Sequence, residues 1–194
     1  MVFLRRDGDE GERRIVGAGV YLRAPELRDF TEWAEVRAQS RAFLTPWEPT
    51  WSEDELTKPS FRYRIRRYLQ DMEDDKAYPY FVFRMTDERL VGGVTLSNVR
   101  RGVAMAASLG YWVGEAFKRR GYTSAAVRAV VRHAFQDLGL HRVEAACQPD
   151  NFASQGVLRT CGFDQEGLAR QYLRINGAWR DHLLFARIRT EDPA

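Results

Sequence analysis

Residues 111 to 139, YWVGEAFKRRGYTSAAVRAVVRHAFQDLG, constrain the chain most, because they write a strand end, a basic turn and a helix in one unbroken run. Val127, Val130, Val131, Ala134, Phe135 and Leu138 recur three and four apart. That spacing lays one apolar stripe along a helix and commits its face to a core. The N-terminal end differs in kind. Gly121 permits a tight backbone, Thr123 or Ser124 can cap, and the first-turn amides of any helix lack intrahelical acceptors. Lys118, Arg119 and Arg120 stand immediately upstream, so N–H donors and positive charge converge as an anion seat requires. A solvated basic turn before an ordinary helix has the same spacing, and on that spacing alone it is the favoured reading, since short Gly-containing basic turns are common. Two common nucleotide loops are excluded. No GxxxxGK followed by Ser or Thr occurs, and Gly17 and Gly19 lack both a third glycine and a following helix start.

At 194 residues and 44% hydrophobic content the chain suits a single globular domain that needs no disulfide. Thirty Lys and Arg against 27 Asp and Glu leave a net charge of +3, too mild to argue nucleic-acid binding. Residues 1 to 14 are polar and read as disordered, with charges where a signal peptide needs an apolar run. A soluble, cytoplasmic protein is expected, with no membrane span. Cys147 and Cys161 stand apart from each other and from His133, His141 and His182, so they read as reduced structural thiols, and no metal is expected.

Alternation predicts a first strand over 16–23, and a helical period follows Pro25 through Leu27, Phe30, Trp33, Ala34 and Arg37. FLTPWEPTW then breaks the pattern with two prolines and two tryptophans. Trp47 and Trp51 either lid the core or wall a substrate groove. A helix over 60–72 interleaves Arg62, Arg64, Arg66 and Arg67 with apolar residues; its charge is either solvated or turned toward an acidic partner, RNA included. Strands over 78–85, 89–101 and 106–114 form an antiparallel meander leading into the basic turn. After the central helix come a strand over 141–148, a short helix over 151–162 ending at Gly162, and strands over 163–175 and 178–188 about an Asn176-Gly177 turn.

GYWVGEAFKRRGYTSAAV followed by HRVEAACQPDNFASQGVLRTCGFDQEG resembles, in order and spacing, the cofactor segments of the GNAT superfamily of acetyl-CoA-dependent N-acyltransferases. FLTPWEPTW and RQYLRINGAWRDHLLFARI resemble its RimJ/RimL-type ribosomal-protein N-terminal acetyltransferases. The resemblance implies an α/β (α+β) fold, one domain over 15–190 with a mixed, mostly antiparallel sheet of about seven strands flanked by helices. Acetyl-CoA is then the co-substrate. Backbone groups of Trp112 and Val113 are expected to pair with its pantetheine arm, and Lys118, Arg119, Arg120, Gly121, Tyr122, Thr123 and Ser124 to form the pyrophosphate loop. Asn151 is expected to contact the same arm, and Ser154 to protonate the leaving thiolate. Lys118 and Thr123 depart from the usual loop pattern. The position of the RimL-type glutamate base falls on Tyr172, which leaves the base open, with Glu144 a further candidate. Trp47, Trp51 and Asp181 are the candidate acceptor-binding residues.

The implied reaction is direct acetyl transfer to a protein N-terminal α-amine, such as the alanine of a small-subunit ribosomal protein. An α-amine has a pKa of about 7.7–8.0 against about 10.4 for lysine, so neutralising it near pH 7 costs about 1 kcal/mol rather than about 4 to 5. Water or a weak base then suffices. The Val113 N–H is the expected oxyanion donor. Alternatives are a small-molecule amine as acceptor, or a ribosome- or RNA-associated module using the helix over 61–72. Direct nucleic-acid binding is not otherwise expected, and monomer or homodimer stays open.

Overall fold

A computed structural model describes residues 14–190; most of the segment read as disordered, residues 1–13, falls outside them. Among the described residues eight strands form one sheet: β1 (Ile15–Gly17), β2 (Val20–Arg23), β3 (Tyr78–Arg84), β4 (Leu90–Arg100), β5 (Ala106–Val113), β6 (Arg142–Cys147), β7 (Asp164–Ile175) and β8 (Ala178–Ile188), in the order β1-β2-β3-β4-β5-β6-β8-β7. The expected count of about seven becomes eight because the strand over 16–23 folds back at Ala18-Gly19. Gly19 takes a φ of +72°, and Gly17 pairs with Val20, a conformation that glycine adopts without steric cost.

All pairings are antiparallel except β5 with β6. These two need a crossover, and α4 (Tyr122–Gln136) supplies it. The stripe read from sequence is buried as expected: Val127, Val130 and Ala134 are fully enclosed. With α5 (Phe152–Thr160), α4 covers one face of the sheet over Val94, Leu96, Leu109, Val143 and Phe185. The other face carries α1 (Phe30–Gln39) and α3 (Lys58–Glu73), joined through α2 (Arg41–Leu44) and a loop. There Trp33 and Phe61 pack at 4.8 Å over Phe81 and Phe83. Thr57 caps α3 by accepting from the Ser60 N–H, with Pro59 in the first turn, where its missing N–H costs nothing.

The sheet is interrupted where β5 meets β6. Their ladder runs from Ala106↔Arg142 to Leu109↔Ala145 and then stops, although both strands continue. Past Leu109, the edge of β5 that faces β6 has no ladder partner, so its amides and carbonyls open onto a gap. On its other edge β5 stays paired with β4 up to Val113↔Gly92. Gly92 and Gly93 allow this close approach, since a Cβ on Gly93 would stand 2.5 Å from the Trp112 indole nitrogen.

Candidate active site

Two structures meet at this gap. At one end is the start of α4. Gly121, with a φ of +80°, is its N-cap, and no side chain caps it; Thr123 and Ser124 sit inside the first turn, which corrects the expectation that one of them caps. Arg119 also takes a left-handed φ, of +60°. The amides of Tyr122, Thr123 and Ser124 belong to the first turn, where a helix offers them no acceptor. The three basic residues separate. Lys118 turns back to Glu115 at 2.8 Å and over the Phe43 ring, whereas Arg119 and Arg120 are exposed.

Across the gap stands α5. Asn151 caps it, its Oδ1 accepting the Ser154 N–H at 3.0 Å, which leaves the amide NH₂ of Asn151 for other partners. Ser154 Oγ lies 2.8 Å from the phenol oxygen of Tyr111 on β5. Cys147 and Cys161 are buried here, and burial pushes both thiols up from their ordinary value.

Alternation along β5 sends Trp112 to the opposite face from Tyr111, toward α1. A cleft of about 410 Å³ opens there, floored by Thr95, Gly110, Tyr111 and Trp112 and walled by α1, the 48–55 loop and α3. Arg37 organises it. Its guanidinium lies 4.2 Å from the Trp51 ring centre and 5.0 Å from that of Trp112, and it grips both Glu48 oxygens at 2.7 Å. Trp51 donates its indole N–H to Glu48 at 2.8 Å. Glu55 pairs with Arg64, which itself lies over Trp33. Each cleft carboxylate is thus matched to a guanidinium. The turn between β7 and β8 braces this wall: the Asn176 N–H donates to the Glu48 carbonyl at 2.9 Å.

The remaining sequence candidates are placed elsewhere. Trp51 lines the cleft; Trp47 is half-buried and does not. Asp181 accepts the Gln171 N–H at 2.8 Å and holds a bulge in β7 where Gln171 has a φ of +48°. Tyr172, next along that bulge, is 48% exposed and packs edge-on against His182 at 5.9 Å, outside the cleft lining. Glu144 is bound by Arg142 and Arg100. Burial raises its carboxyl, and the two guanidinium hydrogen bonds outweigh this and hold it below its ordinary value. Among the described residues no three His, Cys, Asp or Glu side chains gather as metal ligands.

Sequence reasoning missed Arg37, Glu48, Glu55, Gly110 and Tyr111. For Arg37 a signal existed: a cation falling on the apolar period of a helix is one whose charge must be matched inside the fold.

A family model described as the Acetyltransferase (GNAT) domain matches residues 20–164. The chain belongs to the GNAT acetyltransferase family. The probable N-acetyltransferase YjcK of Bacillus subtilis is 36% identical over 178 residues, covering 92% of this chain and 98% of its own. The ribosomal protein uS5-alanine N-acetyltransferase of Escherichia coli is 33% identical over 173 residues, 89% of each chain. Among solved structures, Mycobacterium smegmatis RimJ in complex with CoA-disulfide superposes with a TM-score of 0.83 at 33% identity, covering 91% of this chain and 85% of that one. This GNAT chain is accordingly an N-acetyltransferase of the RimJ/RimL type. Among its described residues no helix is long and apolar enough to cross a membrane.

Proposed function

We propose that this GNAT enzyme transfers acetyl from acetyl-CoA to the N-terminal α-amine of a protein, a ribosomal protein with an N-terminal alanine being the acceptor suggested by its E. coli relative. The observation that carries the reading is the early end of the β5–β6 ladder at Leu109↔Ala145, between an uncapped helix terminus and an aromatic cleft. Acetyl-CoA fits this arrangement by chemistry. First-turn amides with Arg119 and Arg120 offer donors to a pyrophosphate, and the unpartnered edge of β5 offers amide partners to a pantetheine arm at Val113, whereas the register turns the Trp112 backbone toward Gly93 of β4. The Asn151 amide adds a further donor. When bound, acetyl-CoA supplies an acyl group activated as a thioester.

The chain's own groups do the rest. The Val113 N–H donates to the developing oxyanion, and Ser154 supplies a proton to the departing sulfur. The cleft orients the acceptor, whose α-amine gives its proton to water at a cost of about 1 kcal/mol near neutrality. Tyr172 occupies the position that the resemblance gives to the base, but it stands outside the cleft lining, so we assign deprotonation to water. Paired carboxylates in the cleft argue against a polyamine, which needs excess negative charge.

Intact-mass analysis of peptides with N-terminal Ala, Ser or Met and internal lysines tests the reading. One acetyl confined to the Ala or Ser terminus is the expected result. No transfer to any peptide, with acetyl-CoA still bound, transfers the assignment to a small-molecule amine.

A further inference from the structure

Ser154 is held from two sides. Asn151 fixes its amide at 3.0 Å, and Tyr111 reaches across from β5, its phenol oxygen 2.8 Å from Ser154 Oγ and 3.2 Å from the Ser154 carbonyl. A serine hydroxyl has one proton. If that proton points at Tyr111, none is left for the gap; if Tyr111 donates to Oγ rather than to the Ser154 carbonyl, the serine proton is available to a sulfur, that of Cys147 or that of a ligand in the gap. The acceptors in reach decide between these states. An anionic sulfur accepts more strongly than a neutral phenol oxygen, so as a thiolate develops Ser154 turns its proton to sulfur and Tyr111 donates to the oxygen behind it.

We propose that Tyr111 is a positioning residue for acyl transfer, its O–H donating to Ser154 Oγ so that the Ser154 proton is aimed at the departing sulfur. This rests on the assignment of Ser154 above. The C–S bond breaks with its electron pair on sulfur, the amine's proton passes to water, and sulfur takes its proton through Ser154, which water replenishes. Tyr111 keeps its own proton throughout. Burial raises the phenol above its ordinary value, which makes it a fixed donor and a poor proton source. The titratable groups around the pair are Cys147 on β6, whose thiol also pairs with the Ser154 hydroxyl, and Cys161 after α5, with the Arg159 cation acting on Cys147.

The test uses the full chain with CoA, following the ultraviolet absorbance of its thiolate across pH after subtracting the protein alone. Both buried cysteines are pushed up, so their thiolates do not mask the signal near neutrality. In Tyr111→Phe the thiolate fraction of bound CoA at a fixed, mildly alkaline pH falls about three- to tenfold. Ser154→Ala shows a fall at least as large, and the double variant shows no more than Ser154→Ala alone, as expected of groups acting in series. In parallel, kcat for peptide falls by about the same factor while KM for acetyl-CoA stays within about twofold.

An unmoved thiolate titration in Tyr111→Phe, with Ser154→Ala displaced, overturns the positioning role and leaves Ser154 standing. An unmoved titration in Ser154→Ala removes the assignment of Ser154 and the inference with it. Weaker CoA binding in Tyr111→Phe, by more than about threefold, means that the phenol serves binding, and the inference falls. Thermal unfolding of each variant separates these outcomes from loss of fold.

Discussion

At its free edge β5 presents backbone, and on the face toward α1 it meets side chains. The proposed cofactor seat is made of helix-terminal amides, an unpartnered strand edge and a left-handed glycine. The acceptor cleft is made of Arg37, Glu48, Trp51, Glu55 and Arg64, contributed by α1, a loop and α3. Backbone is common to every residue, so the first surface keeps its chemistry when its side chains change, as Lys118 and Thr123 illustrate. The second surface is only as durable as its pairings. One ligand common to a family and acceptors that differ between its members are what such a division accommodates.

Gly110 offers the strongest way to break this comparison. It is exposed on the cleft floor, and a Cβ there meets nothing within 4 Å. Gly110→Val therefore spares the fold and fills the acceptor's place: kcat/KM for peptide falls about 100-fold, with acetyl-CoA affinity by calorimetry unchanged. Equal loss of both affinities would show that the two surfaces are not independent.

A smaller effect is expected on the other face. At Gly121 the φ of +80° is adverse to any L side chain, while space is open, so Gly121→Ala costs about 1 kcal/mol in urea unfolding. It weakens acetyl-CoA binding and leaves peptide KM alone.

The smallest change is predicted for Glu144→Gln. Glu144 touches neither ligand surface, and activity is expected to stay within about twofold with less than about 1 kcal/mol of stability lost. Its carboxyl titrates below the ordinary 4.5 in the folded chain because Arg142 and Arg100 outweigh burial. A depressed value contributes stability that is complete above the unfolded pKa and disappears as pH falls through the folded one. The acid limb of the unfolding profile is therefore shallower in the variant.

How far each region was legible follows from chain separation. The strand, turn and helix of the cofactor seat lie within residues 106–136, and their periodicity and glycine announced them; the strand expected over 178–188 is β8 with the same bounds. The cleft draws on residues 33 to 112, and no local pattern states that Arg37 and Trp112 will stack or that Glu48 will take both ends of a guanidinium. Tyr111 was visible in the GYWV segment, but its partner is Ser154, 43 positions away. Asp181, expected to bind the acceptor, instead accepts the Gln171 backbone N–H and fixes a bulge that no periodicity announces.

The interrupted β5–β6 ladder bears on the stability of the chain as well as on its chemistry. Most sheets expose raw edges only at their margins; this one also has an edge in its interior, among Val94, Leu109 and Ala145. A ligand that lines such an edge shifts the folding equilibrium toward the native state by mass action. The ligand proposed for the gap therefore raises the unfolding midpoint of the chain by an amount that grows with its concentration.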